Sequence, residues 1–396
     1  MRDAVVEKCP PRLLRAFLLR SIAVSVVILP LGQSAVDAAV EFFRSPYLQR
    51  VTERSVTICW ETTVLATGAV VYREKGSEET LVAEVGSSLR QEVVVSELRE
   101  GTTYDYEVRS PSEAPEVSFT ASFRTAPVED VAFTFVVYGD SRHEDDAHRE
   151  VVAAIRSVRP AFIIHLGDIV DAGGSEYGWN MFWPIVAPLG DSQGLAANVP
   201  IFPVLGNHEY HNGAQGGFEQ PYSEQAVSVY QANFALPSNG LEEEHPEWSE
   251  RFYSFRYGPA LFVVLDVNND SDPQYDTNYE LDSPGPPDIH PGSPQYKWMV
   301  EQLRIGKREC AFTFVCLHHA PYSSGPSGNP NNPFSGYRLR FLDEVFRRYG
   351  VDMVFSSHDH FYERCETRNN EYPIVYFVSG AGGAPRYLQR HDRLAA

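Results

Sequence analysis

The sequence predicts an antiparallel β-sandwich over residues 39–127, followed by an α/β domain over residues 131–396. Short runs of alternating apolar and polar residues, separated by turn residues, dominate the first part, which is typical of a sandwich. From residue 131, apolar runs of strand length alternate with segments of helical period, which is typical of a sheet flanked by helices. A length of 396 residues, 43% of them hydrophobic, is sufficient for two such units.

Residues 1–38 have the pattern of a secretory signal peptide. Arg12, Arg15 and Arg20 precede an apolar run over residues 22–31, and small residues follow, with a candidate cleavage site after Ala38. The run is too short to span a bilayer, which needs about 20 apolar residues. We therefore expect an exported protein, secreted or periplasmic, with no membrane span after the signal is removed.

The formal charge of −20 argues against a broad basic face, so nucleic acid is not an expected macromolecular partner. Binding of an anionic substrate would then need local positive charge, such as bound metal ions. The cysteines beyond the signal segment lack the CxxC spacing of a zinc knuckle. They are Cys59, Cys310, Cys316 and Cys365. Disulfide pairing in an exported protein and isolated core thiols are both compatible with these positions.

The predicted strands of the sandwich lie at residues 55–60, 68–72, 92–95, 104–108 and 118–124. Trp60, on the first strand, and Tyr104, late in the module, are the expected core anchors. The module contains no cluster of catalytic residue types, so we expect a structural or partner-binding role. Ala126 and Pro127, followed by two acidic residues, mark the expected linker to the α/β domain.

The α/β domain begins with a strand at residues 132–138 and a helix at residues 145–158, where apolar residues recur with the helical period. Further strands are predicted at residues 161–166, 201–205, 260–266, 311–317, 351–355 and 374–378. Further helices are predicted at residues 294–303, capped by Ser293, and at residues 337–349, ended by Gly350.

Residues of metal-ligand type directly follow several of these strands. They are Asp140, Asp168, Asn207, His318, His358 and His360. Ligands of open α/β sheets gather beyond the carboxyl ends of the strands, so we expect these side chains to meet. Their carboxylate, amide and imidazole groups suit iron, zinc or manganese. Such a set, with one carboxylate shared, suits two metal ions that together hold a phosphoryl group.

The ordered motifs resemble those of the calcineurin-like metallophosphoesterase superfamily. They are Gly139-Asp140, Gly167-Asp168, Gly206-Asn207-His208-Glu209, His318-His319-Ala320-Pro321 and His358-Asp359-His360. Residues 45–49, the sandwich around Trp60 and residues 360–364 resemble purple acid phosphatases in particular. The resemblance implies an α/β metallophosphoesterase domain of four layers, αββα, with two packed sheets, preceded by a fibronectin type III-like sandwich.

The resemblance also implies a role for each site residue. Asp168 would bridge two metal ions of divalent or trivalent charge. The first ion would also be bound by Asp140 and His360, and the second by Asn207, His318 and His358. A bridging or terminal hydroxide would attack phosphorus in line. His208 would contact the phosphate and protonate the leaving oxygen.

The sequence departs from the family pattern at the first metal ion. Asp171 stands where purple acid phosphatases have a tyrosine, so we expect no purple colour. Arg142 stands where other superfamily members have a histidine; it cannot bind a metal ion, but it can hold phosphate bidentately. We predict that His148, on the inward face of its helix, supplies the missing ligand. His143, Asp171 and water are the alternatives, and a hydrogen-bonded helix-face histidine is an equally good interpretation of His148.

The predicted function is therefore an exported two-metal phosphoesterase, most simply a phosphomonoesterase of the acid phosphatase type acting on a small phosphate ester. A phosphodiesterase acting on small diesters or nucleotides is the alternative, because the same metal core serves both reactions. An exported binding or adhesion protein with an inactive phosphoesterase domain is the remaining hypothesis, and the intact ligand set argues against it.

Overall fold

The computed structural model describes residues 39–110, 117–128, 130–142, 145–211, 224–268, 286–332, 335–367 and 373–387. The predicted signal segment at residues 1–38 and the alternative ligand His143 lie outside the described residues. Within the described ranges, no helix combines the length and the apolar character needed to cross a membrane.

The N-terminal region is a sheet of antiparallel strands. They are β1 (Phe42–Gln49), β2 (Val56–Glu74), β3 (Leu81–Val95), β4 (Thr103–Ser110) and β5 (Val117–Arg124). Their order is β1-β2-β4-β5, and β3 also pairs with β2. The first half of β2 pairs with β1 and the end of β3, and its second half pairs with β4 and the start of β3. The region is rich in strands, as predicted.

The strands predicted at residues 55–60 and 68–72 form a single strand, β2, because both halves pair with the same strand, β3. Register shifts between Glu61 and Gly68 absorb the change of direction without ending the strand. Gly68 is needed there, since a Cβ would lie 2.3 Å from Cζ2 of Trp60. The expected anchors Trp60 and Tyr104 are both buried.

Two sheets form the α/β part. The smaller is parallel and contains β6 (Val136–Tyr138), β7 (Ile163–His165) and β8 (Ile201–Pro203), in that order. The strands of the larger are β9 (Tyr253–Tyr257), β10 (Ala260–Val264), β11 (Phe312–His319), β12 (Met353–Ser357), β13 (Tyr362–Glu366) and β14 (Val375–Ser379). Their order is β13-β14-β12-β11-β10-β9, with parallel inner strands and antiparallel edges.

The helices of the described ranges are α1 (Asp145–Val158), α2 (Glu176–Val186), α3 (Leu195–Asn198), α4 (Glu224–Asn233), α5 (Pro294–Glu309) and α6 (Asp343–Tyr349). The predicted cap of α5 is present, because Ser293 Oγ accepts a hydrogen bond from Tyr296 N at 3.2 Å. The helix predicted at residues 337–349 is a 3₁₀ segment, Gly336–Leu342, followed by α6. It ends, as predicted, at Gly350, whose φ of 72° is left-handed.

Phenylalanines fill the space between the two sheets of the α/β part. They include Phe135, Phe162, Phe202, Phe255, Phe262, Phe314 and Phe355. On β10, Phe262 and Val264 belong to this layer, while Leu261 and Val263 pack with α5. On the opposite side, α1 and α2 contact β6 and β7 through His148 and Phe182. Helices therefore cover the outer face of each sheet, which is the αββα arrangement that the resemblance implies.

The N-terminal sheet is hydrogen-bonded to the smaller sheet and its helices. Tyr47 Oη donates to Asn233 O at 2.9 Å, and Tyr106 Oη donates to Ala197 O at 2.8 Å. The Gln49 amide donates to the backbone oxygen of Ile201, in β8, at 3.3 Å. All of these polar groups are buried, so each bond replaces one to water and must be retained for the region to stay packed. These hydrogen bonds hold the N-terminal sheet against β8, and the residues that follow β8 form one side of the site.

Candidate metal centre

The structure brings together the six residues that the sequence proposed as ligands. Asp140, Asp168 and Asn207 follow the three strands of the smaller sheet. His318 lies near the end of β11, and His358 and His360 follow β12. The carboxyl ends of both sheets therefore meet at one buried edge, as the rule for open α/β sheets predicts.

Three of these residues have backbone strain. The φ angles of Asp140, Asp168 and His358 are 57°, 53° and 67°, a region that is unfavourable for residues other than glycine. Hydrogen bonds between the loops hold these conformations. Asp140 N donates to Gly167 O at 3.0 Å, Ser141 N donates to Asp168 O at 3.1 Å, and His358 N donates to Asp140 Oδ2 at 2.9 Å. Strain that the surrounding structure maintains in this way is concentrated at functional sites.

Four side chains form one half of the centre: Asp168, Asn207, His318 and His358. The Nε2 atom of His318 lies 3.3 Å from Asp168 Oδ1, 3.1 Å from Asn207 Oδ1 and 3.1 Å from His358 Nδ1. Its other nitrogen, Nδ1, donates to Leu166 O at 2.7 Å, so Nε2 directs its lone pair to the group when the ring is neutral. Oxygen and nitrogen donors that converge this closely can share one cation, so these residues fit a metal ion.

The pKa shifts of His318 and Asp168 are those expected at a site that binds a cation. Burial lowers the pKa of His318, but the charge of Asp168 and its hydrogen bond to the ring outweigh burial and raise the pKa to about 9. Burial raises the pKa of Asp168, but His208, His318 and Arg142 hold that pKa well below its usual range. A proton on His318 therefore balances the buried carboxylate, and a metal ion would take the place of that proton.

The other half of the centre contains Asp140, His360 and the guanidinium of Arg142. His360 Nδ1 donates to Pro385 O at 2.7 Å, so its Nε2 is an acceptor. That Nε2 lies 3.4 Å from Asp140 Oδ1 and accepts from Arg142 Nη2 at 3.3 Å. Arg142 Nε donates to Asp168 Oδ2 at 3.2 Å, and only 9% of the Arg142 side chain is exposed. The guanidinium thus lies between ligand-type groups of this half.

His208 lies beside the carboxylate that belongs to both halves. Its Nε2 is 3.8 Å from Asp168 Oδ2, and its Nδ1 is 2.6 Å from the backbone oxygen of Asp171, to which it donates. The Asp171 carboxylate is 3.6 Å from His208 Nδ1 and 3.9 Å from Arg142 Nη1. His208 is therefore oriented by a backbone contact, with its other nitrogen directed to the centre.

The structure does not bring His148, the ligand predicted on α1, to the six other residues. Its Nε2 lies 3.2 Å from the hydroxyl of Tyr138, and its ring stacks on Phe182 with centroids 5.7 Å apart. Burial lowers the pKa of His148 to about 3, so the ring is neutral. It is a helix-face histidine bonded to a strand residue, which is the other interpretation that the sequence allowed.

Glu209 is a buried residue of the site to which sequence analysis assigned no role. Its Oε2 accepts from Gly206 N at 2.8 Å and from Asp168 N at 2.9 Å, and its Oε1 accepts from Ile169 N at 2.8 Å. One side chain therefore joins the loops after β7 and β8, which carry Asp168 and Asn207. The sequence could have indicated this role, because Glu209 directly follows Asn207 and His208 in a loop at a strand end. Backbone N–H groups in such loops lack strand partners, and a buried carboxylate can accept their hydrogen bonds.

Asp359, between His358 and His360, has a similar role on the larger sheet. Its carboxylate accepts from Ser327 N at 3.0 Å and from the Ser323 hydroxyl, and it is fully buried. It therefore fixes the loop after β11 to the loop after β12. Between them, Glu209 and Asp359 connect the strand ends that position the ligand-type residues.

Residues 133–362 match the family model described as calcineurin-like phosphoesterase. The chain belongs to this family. It is 27% identical over 369 residues to purple acid phosphatase 13 of Arabidopsis thaliana, covering 82% of this chain and 60% of that protein. It is 24% identical over 367 residues to a purple acid phosphatase of Glycine max, covering 86% of this chain and 70% of that protein.

Solved structures show the same fold. A purple acid phosphatase isolated from yellow lupin (Lupinus luteus) seeds superposes with a TM-score of 0.68 at 18% identity, covering 88% of this chain and 66% of that chain. The chain spans about 60% of the length of the Arabidopsis relative. All six ligand-type residues of this chain lie within the range that matches the phosphoesterase family model.

Proposed function

We propose that the chain is an exported, metal-dependent phosphatase that hydrolyses small phosphate monoesters. The observation that carries the proposal is the convergence of Asp168, Asn207, His318 and His358 beside His208. These donors present one carboxylate, one amide oxygen and two imidazoles to a common point, which suits iron, zinc or manganese. A bound ion of this kind polarises a phosphoryl oxygen and lowers the pKa of a water molecule.

His208 is the proposed general acid. The hydrogen bond from its Nδ1 to the backbone of Asp171 holds the ring, and its Nε2 faces the same side as Asp168. Burial lowers the pKa of His208, and Asp168 opposes that effect. The net shift of the His208 pKa is downward, which makes the protonated ring a stronger acid towards the leaving oxygen.

Asp171 determines a spectroscopic property of the proposed enzyme. The tyrosine that gives purple acid phosphatases their colour, by the resemblance drawn from the sequence, is replaced here by a carboxylate. We therefore expect the iron-loaded protein to lack the purple absorption band. An iron-loaded sample with that band would show that another tyrosine reaches the metal.

The proposal is tested by metal analysis together with a substrate panel. The purified chain is loaded with iron, zinc or manganese and assayed on matched phosphate monoesters and diesters, with Asp168→Asn as the inactive control. Faster hydrolysis of monoesters supports the proposal, and faster hydrolysis of diesters supports the phosphodiesterase alternative. Metal-loaded protein that cleaves no ester would favour an inactive binding protein.

Export is a separate part of the proposal. It rests on the basic, apolar and small-residue pattern of residues 1–38. The formal charge of the chain is −20. This acidity argues against nucleic acid as the partner. N-terminal sequencing of protein recovered outside the cytoplasm should find a new terminus near Ala39; an intact Met1 there would contradict cleavage.

A further inference from the structure

The guanidinium of Arg142 uses the atoms that a first metal ion would need. Nε donates to Asp168 Oδ2, and Nη2 donates to His360 Nε2, at 3.2 and 3.3 Å. A metal ion must accept the lone pairs of these same atoms, at about 2.0–2.2 Å. The only in-plane lone pair of His360 Nε2 and one lone pair of Asp168 Oδ2 are directed to N–H groups of Arg142. A metal ion that uses His360 Nε2 and the guanidinium in its present position therefore exclude each other.

Charge strengthens this exclusion. An arginine side chain in a protein stays protonated and has no acceptor atom, so it cannot join a metal coordination shell. Its positive charge would also repel a second cation within a buried site, where screening by water is weak. One guanidinium and one divalent metal ion together carry more positive charge than the carboxylates of Asp140 and Asp168 carry negative charge, so charge balance requires no second ion.

The first site also lacks the donors that would offset displacement of Arg142. Asp171, which stands at the family's tyrosine position, is 38% exposed and its carboxylate lies 3.9 Å from Arg142 Nη1, as a counter-charge to the guanidinium. His148 is occupied by Tyr138 and Phe182. Of the described residues, Asp140, Asp168 and His360 remain, and Arg142 bonds to two of them. These residues do not fit the first metal ion that the family implies.

We propose that Arg142 replaces the first metal ion, so that the chain holds one metal ion, at Asp168, Asn207, His318 and His358. Arg142 supplies the second positive charge that the substrate phosphate meets, on a planar guanidinium of the kind that binds phosphate bidentately. The phosphate-binding part rests on the proposed function, whereas the single-ion part concerns metal binding alone. The arginine thus keeps the phosphate-binding role expected from the sequence and adds a structural one among the ligands.

A cavity beside Arg142 could accept the guanidinium if a second metal ion displaced it. It has a volume of about 270 Å³ and is lined by Ser141, Arg142, His148, Asp171 and Phe182, among others. The guanidinium has room to swing into this cavity if a second metal ion binds strongly enough to expel it. Metal stoichiometry in the whole chain therefore decides between replacement and displacement.

The experiment is a manganese titration of the metal-free chain, followed by metal analysis after desalting and by electron paramagnetic resonance. We expect one Mn²⁺ per wild-type chain and the six-line spectrum of an isolated ion. Arg142→His and Arg142→Ala should each bind a second Mn²⁺ and show a spin-coupled spectrum. The control Arg304→Ala removes an exposed arginine on α5, paired with Glu301, and should match the wild type.

Two Mn²⁺ per wild-type chain with a coupled spectrum would overturn the proposal, and this result needs no variant to fold. One Mn²⁺ in the wild type and in both Arg142 variants would also overturn it, because the guanidinium would then not be what excludes the second ion. Failure of the proposed phosphatase function would give a different result from failure of the single-ion proposal. A chain with one ion and no activity on any ester would leave the metal result intact and refute the phosphatase assignment.

Discussion

Replacement of Glu209 by alanine should loosen the metal centre without touching a metal ligand. The Glu209 carboxylate accepts hydrogen bonds from Gly206 N, Asp168 N and Ile169 N at 2.8–2.9 Å and is fully buried. Each backbone donor left without a partner costs about 1–3 kcal/mol. Allowing for water that enters the space, Glu209→Ala should reduce the free energy of unfolding by about 3–6 kcal/mol.

Urea unfolding of the metal-free chain, followed by tryptophan fluorescence, measures this loss. Glu250→Ala is the matched control, because the Glu250 carboxylate accepts a single backbone bond, from Leu236 N at 2.6 Å. The control should lose only about 1–2 kcal/mol. Since Glu209 joins the loops that carry Asp168 and Asn207, Mn²⁺ affinity should also fall in Glu209→Ala and remain unchanged in Glu250→Ala.

If both variants lost the same unfolding free energy, the larger loss expected for Glu209→Ala could not come from its three backbone hydrogen bonds. Unchanged Mn²⁺ affinity in folded Glu209→Ala would refute the second step, in which Glu209 positions the ligands. Glu209→Gln separates the two effects further. The amide can still accept at one oxygen, but its NH₂ group would face backbone donors, so an intermediate loss is expected.

Three further predictions concern the centre itself. Asp168→Asn should lower bound metal and abolish hydrolysis, because a neutral amide binds cations poorly; full metal content with normal turnover would contradict the site. His208→Ala should keep its metal content but lower kcat by about 10²–10⁴, with smaller losses for esters with good leaving groups. An equal loss for all leaving groups would remove the acid role. Asp168 and its hydrogen bond overcome burial to raise the pKa of His318 to about 9, so below that pH a metal ion must displace a proton. Apparent Mn²⁺ affinity, measured by calorimetry, should therefore rise by up to about tenfold per pH unit towards pH 9, and a flat profile from pH 6 to 8 would contradict a protonated His318.

The sequence was sufficient to find the six ligand-type residues, for a local physical reason. Each lies at or just after the end of a short apolar run that is typical of a buried strand, and parallel strands place their carboxyl ends at one edge. Asp140, Asp168 and Asn207 needed no more than this rule. The outer helices were also predictable, α1 from the helical period of its apolar residues and α5 from its Ser293 cap.

The helix α2 shows where local pattern fails. Trp179, Phe182 and Trp183 are buried with helical spacing, but Gly178 and Pro184 are both unfavourable inside a helix, so the local sequence argues against one. The continuity of β2 was missed for a related reason. Whether residues 61–67 turn or continue depends on their pairing with β3, which residues nearby in sequence do not specify.

Only the tertiary structure decided what Arg142, His148 and Glu209 do. Arg142 and His360 are 218 residues apart in sequence, yet a hydrogen bond between them puts a guanidinium where a metal ligand was expected. His148 has the spacing of an inward-facing residue, but packing of α1 on β6 and α2 gives it Tyr138 and Phe182 as partners. Residue type and strand order determine which groups reach the site edge. Their partners there depend on how separate segments pack, because a long side chain can turn to whichever opposite charge or hydrogen-bond acceptor the fold brings within reach.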